Sequence, residues 1–282
     1  MGGAYFSQPW RTVPNTNQEN LDFMETYKPH NYEATHLRIL LHGPVGAGKS
    51  SFINSVDSVL KGRITSQAPT DATSGGSFTI RYKTYKIRQD NGGMYSFVLN
   101  DLMGLEERAN TGVHMEDLKL ALSGHVREGY QFNPKLKMQK GDQFYNPSPT
   151  LNDRVHVLVS VNPAASISLL SQEVAKKMRD VRLAASEMGI PQMAILTKVD
   201  EACPQVQKDI NNVYKSKYLK EQVDKYSEIL GLPLNCIFLM KNYETDISTN
   251  EGINALILCA LRQMISFGED YLNNLLIADD MP

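Results

Sequence analysis

Gly43, Gly48, Lys49 and Ser50 stand in the spacing G-x-x-x-x-G-K-[ST] within the stretch "LHGPVGAGKSS". Glycines at those places let successive backbone N–H groups turn inward around a phosphate, and a helix beginning just after them adds its own N-terminal donors. Pro44, Val45, Gly46, Ala47, Gly48, Lys49, Ser50 and Ser51 are therefore the expected nucleotide-binding loop. Lys49 would reach the β- and γ-phosphate oxygens, and Ser50 would bind Mg²⁺. The spacing arises by chance in roughly 1% of chains this long. A plain strand-to-helix turn is the competing explanation.

Two further patterns follow in order. "DLMG" supplies Asp101, an acid that could hold Mg²⁺, and Gly104, whose N–H could meet a γ-phosphate. D-x-x-G alone is nearly uninformative, since about one copy per chain is expected by chance. "TKVD" is more specific and places Thr197, Lys198 and Asp200 at a strand end. A carboxylate there can accept two hydrogen bonds from a guanine edge while the lysine stem lies over the purine; adenine offers no such donor pair. Lys241 and Asn242, in "LMKNYE", are expected on the base side, and "QAPTDATSGG" offers Thr70 and Thr73 as a threonine for Mg²⁺. Thr73 is preferred because Gly75 and Gly76 follow it. Lys49, Thr73 and Gly104 are the groups expected to act on the γ-phosphate, and Ser50, Thr73 and Asp101 to ligate the metal.

Such a site needs strands whose carboxyl ends converge. "HLRILLHG" reads as a buried strand and "GKSSFINSVDSVL" as a helix with one apolar face. "SFTIRYKTYKIR" and "YSFVLND", joined through "QDNGGM", read as an antiparallel pair. "VHVLVSV", "QMAILTKVD" and "NCIFLMKN" are further strands, with helices expected over "HMEDLKLALSG", "SLLSQEVAKKMRDVRLAASEMG", "QKDINNVYKSKYLKEQVDKYSEILG" and the C-terminal 250–276. Strands alternating with helices predict an α/β fold: a P-loop G domain over 35–282, with a mostly parallel six-stranded sheet, helices on both faces and one antiparallel edge pair. Residues 1–34 read as an extended arm, and 124–154 as a long loop without clear period.

The chain has 282 residues, with 29 Lys and Arg against 31 Asp and Glu, a formal charge of −2 that does not point to nucleic acid. No apolar run approaches the roughly 18 residues of a membrane span. The start "MGGAYFSQ" has no secretory pattern, and Phe6 occupies the Ser/Thr position of a myristoylation signal. Three widely spaced cysteines suit neither a disulfide framework nor a zinc site, so a reducing, cytoplasmic setting is expected.

Two details bear on rate. The position after D-x-x-G, where Ras-like enzymes keep the glutamine that orients the attacking water, holds Leu105. Val45 would crowd an external arginine finger. The residues thus bind well and hydrolyse poorly, and a second copy meeting this one across the nucleotide face is one way to place the water.

The stretches "LRILLHGPVGAGKSSFINSV", "YKTYKIR", "GHVREGYQFNP" and "AILTKVD" resemble the interferon-induced protein 44 and 44-like family. The resemblance runs from Pro9 to the C-terminal helix, and "REGYQFNP" is its most family-specific piece. It implies a cytoplasmic, interferon-induced protein of the dynamin- or septin-type grouping that binds GTP/GDP with Mg²⁺ and is linked to antiviral defence. Mammalian members carry an additional N-terminal domain, and this chain is expected to be a form without it. The resemblance gives no account of 124–154, whose Tyr130, Phe132, Phe144 and Tyr145 suit a cap, a partner surface or burial against the domain.

Overall fold

The computed structural model describes residues 5–14, 16–69, 81–102, 113–133 and 135–279. Six strands form one sheet: β1 (Leu37–His42), β2 (Lys83–Arg88), β3 (Met94–Asp101), β4 (Val157–Pro163), β5 (Gln192–Thr197) and β6 (Ile237–Leu239), in the order β2-β3-β1-β4-β5-β6. Only β2 and β3 run antiparallel; every other pair is parallel. The sequence explains the order. "LRILLH" and "VLVSVNP" are apolar almost throughout and take central places covered on both faces, whereas "KTYKIR" alternates and lies at the edge with Lys83, Lys86 and Arg88 in water. The register sets Leu41 beside Asp101 and His42 beside Ser160, so β1 and β3 end within one residue of each other while β4 runs on three residues to Pro163.

The helices are α1 (Asn17–Thr26), α2 (Lys49–Leu60), α3 (Met115–Leu122), α4 (Gln172–Glu187), α5 (Val199–Ala202), α6 (Pro204–Lys208), α7 (Lys217–Leu230) and α8 (Glu251–Asp279). α8 packs over β1, β4 and β6 with α2 and α1 against it, and α3, α4 and α7 form a second layer. On α8, Gly268 brings the helix so close to the sheet that a Cβ would lie 2.9 Å from the side chains of both Leu37 and Val157. Among the described residues no helix is long and apolar enough to cross a membrane.

The expected fold class holds, with local departures. The arm is not extended throughout: α1 forms inside it, burying Met24 and Asn20, and Arg262 of α8 donates to Asn20 at 2.9 Å. The helix expected over 207–231 breaks into α6, a 3₁₀ turn at Ile210–Lys215 and α7, because Asp209 and Ser216 accept backbone N–H groups two and three residues on and act as caps. Ser171 likewise delays α4, leaving a 3₁₀ turn at Ala164–Leu169. The C-terminal helix runs Glu251–Asp279. In 124–154, Val126, Tyr130, Phe132 and Met138 are buried, so the loop packs on the domain with little regular structure of its own.

Candidate nucleotide site

β1 delivers the chain to Gly43, where the backbone turns with φ +146°. Only glycine fits: a Cβ there would lie 2.0 Å from the Val161 carbonyl oxygen of β4. Gly48, at φ +91°, starts α2, and its missing side chain leaves room for Asn242, whose Nδ2 would be 2.9 Å from a Cβ. Lys49 is buried, and its ammonium donates to the carbonyls of Gly43 at 3.1 Å and Pro44 at 3.0 Å. Burial pushes its pKa below the usual lysine range, while the Asp101 carboxylate opposes that shift. Ser50 Oγ donates to Asp101 Oδ2 at 2.7 Å. The loop serine and the strand-end acid expected to share a metal therefore meet.

On the base side, Thr197 is buried at the end of β5 and its hydroxyl donates to the Ala47 carbonyl at 2.6 Å. Asn242 donates to the Gly48 carbonyl at 3.1 Å, while its buried Oδ1 finds no partner among the described residues. Both side chains thus brace the phosphate loop from the neighbouring strand ends. Lys198 takes φ +57°, the only non-glycine residue with positive φ among those described, and turns the chain so that Asp200 falls in the single turn of α5. Asp200 lies 3.8 Å from Lys241 Nζ, which is also 3.6 Å from Asp246.

Sequence reasoning missed His42, Asn54 and Asn162. His42 is buried beside the loop; burial first, and the Lys49 charge second, hold its pKa down at about 3, so the ring is neutral. A polar ring ending an otherwise apolar strand was the available signal. Asn54 on α2 accepts from the N–H groups of Gln67 and Ala68 and donates to the Ala68 carbonyl, tying down the chain that leads toward Thr70. Asn162 donates to the buried Tyr226 hydroxyl at 2.6 Å and offers its carbonyl to Thr197. Thr70, Thr73, Gly104 and Leu105 lie outside the described residues. Among the described residues no group of three or more His, Cys, Asp or Glu gathers as a metal site. Ser50 and Asp101 nevertheless offer the hard oxygens that Mg²⁺ takes alongside phosphate and water.

A phosphate loop between β1 and α2, with Asp101 at the end of β3 and Thr197 at the end of β5 on either side of β1 and β4, defines a P-loop G domain fold. A dimerization-deficient mutant of Toc33 from Arabidopsis thaliana shares that fold, with a TM-score of 0.50 at 15% identity over 95% of this chain and 97% of that one. No protein-family model matches the chain. Interferon-induced protein 44 of Homo sapiens is 34% identical over 256 residues, covering 90% of this chain and 57% of the relative. Interferon-induced protein 44-like of Homo sapiens is 35% identical over 252 residues, covering 88% and 55%. Over the matched span, the chain belongs to the interferon-induced protein 44 and 44-like family. It spans little more than half the length of these curated relatives.

Proposed function

We propose that this chain binds GTP and GDP with Mg²⁺ and hydrolyses GTP slowly. The observation that carries the reading is the 2.7 Å contact of Ser50 with Asp101 beside a buried Lys49 held over the glycine loop. Lys49 would exchange its two loop carbonyls for phosphate oxygens. Mg²⁺, which Ser50, Asp101 and Thr73 would hold, would neutralise phosphate charge. Gly104 would meet the γ-phosphate, while Lys198 and Asp200 would take the guanine and Asn242 would hold the loop beneath it. Leu105 supplies no water-orienting group, so turnover is slow and rises where a second copy completes the site across the nucleotide face. The setting that fits the family is cytoplasmic, interferon-induced antiviral defence.

The second reading, favoured by Leu105 itself, is a GTP-gated interaction module with almost no turnover. Calorimetric titration of GTP, GDP and ATP into wild type, Lys49→Ala and Asp200→Asn tests nucleotide binding. Lys49→Ala should lose at least about a hundredfold in guanine-nucleotide affinity, the size of two or three charge-assisted bonds. Asp200→Asn should erase the preference for GTP over ATP. Unchanged nucleotide choice in Asp200→Asn would point to an ATP-using enzyme instead. Phosphate release per protein that rises with protein concentration supports the dimer-dependent enzyme; a flat background rate favours the module.

A further inference from the structure

The two stretches expected to sense the γ-phosphate, 70–80 and 103–112, lie outside the described residues, but the chain following each is described. One tyrosine holds both. After 70–80, the Tyr82 N–H donates to the Tyr130 carbonyl at 2.8 Å, the Gly129 N–H donates back to the Tyr82 carbonyl at 2.8 Å, and Arg81 bridges Gln131. After 103–112, α3 carries Asp117 in its first turn with no exposed surface, and the Tyr130 hydroxyl donates to Asp117 Oδ2 at 2.7 Å. The Met138 N–H takes the other carboxylate oxygen at 2.7 Å.

The joint is stiff. Tyr130 is buried, edge-on to Phe132 with ring centroids 5.1 Å apart, and Phe132 in turn meets the Tyr82 ring edge-on at 6.2 Å. A buried carboxylate stripped of a donor is costly, so Asp117 follows the phenol rather than releasing it. A shift of the chain at Arg81–Tyr82 therefore carries through one residue to the first turn of α3, and the reverse holds equally. Free energy spent fixing the chain at Arg81–Tyr82 then lowers the cost of fixing the first turn of α3.

We propose that Tyr130 is a positioning residue that sets the preference for GTP over GDP: without touching nucleotide, it makes the segments after 70–80 and 103–112 respond together. The inference rests on the guanine-nucleotide reading above. It assigns the family-specific loop a task inside the domain, as the link between its two γ-phosphate sensors.

The test uses the full chain, GDP and a non-hydrolysable GTP analogue. Tyr130→Phe keeps the ring and removes the bond; Asp117→Asn keeps an acceptor for the Met138 N–H and weakens the same bond. Each should reduce affinity for the GTP analogue about tenfold, within the usual range for coupling between sites, while GDP affinity changes less than about twofold. The double variant should lose no more than either single one. In wild type, amide exchange should slow at both 81–88 and 113–122 when the analogue binds; in Tyr130→Phe only one segment should respond. Equal losses for GDP and analogue, or no loss for either, would reduce the contact to packing and overturn the proposal. A wild type that binds neither nucleotide removes the proposed function itself; a wild type that prefers the analogue, with variants that keep the same ratio, removes only this inference.

Discussion

The phosphate side and the base side of the candidate site are built in different ways. At the phosphate loop the anchors come from the sheet and the chain just beyond it: Val161 sits against Gly43, Thr197 holds the Ala47 carbonyl, and Asn242, three residues past β6, holds the Gly48 carbonyl. Its charged group, Lys49, is buried with its bonds made. At the base side Asp200 sits in a one-turn helix, about a quarter exposed, opposite an ammonium at 3.8 Å. The loop's shape is thus part of the fold, and the proposed nucleotide would exchange existing bonds there. A base contact through Asp200 would be an attachment that can change with little consequence for folding.

The largest effect that would break this contrast lies at Gly43. Gly43→Ala places a methyl 2.0 Å from the Val161 oxygen, backbone against backbone, with no flexible side chain to yield. Overpacking and strain at a positive φ together should cost more than about 3 kcal/mol, a large share of a typical 5–15 kcal/mol total. Denaturant unfolding should show the midpoint falling sharply. A variant as stable as wild type would mean the loop is not clamped by β4.

Next in size is acid. His42 has a folded pKa near 3 against about 6.5 unfolded, so its contribution is complete above pH 6.5 and is lost as pH falls toward 3. Below pH 6.5 the unfolded chain takes up a proton that the folded ring refuses. The loss should reach about 3 kcal/mol by pH 4 from this residue alone. His42→Leu, which removes a buried ring nitrogen that has no hydrogen-bond partner among the described residues, should flatten the stability profile between pH 6.5 and 4. An unchanged slope would show that the ring titrates freely and that the loop's underside is wet.

The phosphate loop was legible because its chemistry is local: glycines, lysine and serine at fixed spacing between a strand and a helix. The sheet was legible because burial on two faces leaves apolar runs and an edge leaves alternation. α1 was not, since only Asn20 and Met24 are fully buried, Leu21 and Phe23 are only partly covered, and the helix is held by α8 far along the chain. The break before α7 turned on Asp209 and Ser216 capping backbone groups, residues equally at home on a helix surface. Thr197 and Asn242 were read as nucleotide contacts, and their bonds to the Ala47 and Gly48 carbonyls depend on loop curvature that no spacing encodes. Within "HMEDLKLALSG", read only as a helix, nothing singled out Asp117; its burial follows from Tyr130 and Met138, which the sequence separates from it by a loop.

The smallest effect tests the other half of the contrast. Lys241 is shared between Asp200 at 3.8 Å and Asp246 at 3.6 Å, and all three side chains are about a quarter exposed. Pairs of this length near water contribute roughly 0–1 kcal/mol, because screening and side-chain entropy offset most of the attraction. Lys241→Ala should therefore move the unfolding midpoint by less than about 0.5 kcal/mol. It also frees Asp200 from a competitor for its carboxylate, so guanine-nucleotide affinity should rise by no more than about threefold, and that gain should vanish at high salt. If the substitution instead costs as much stability as Gly43→Ala, the base side is as deeply tied into the fold as the phosphate loop, and the distinction between them falls.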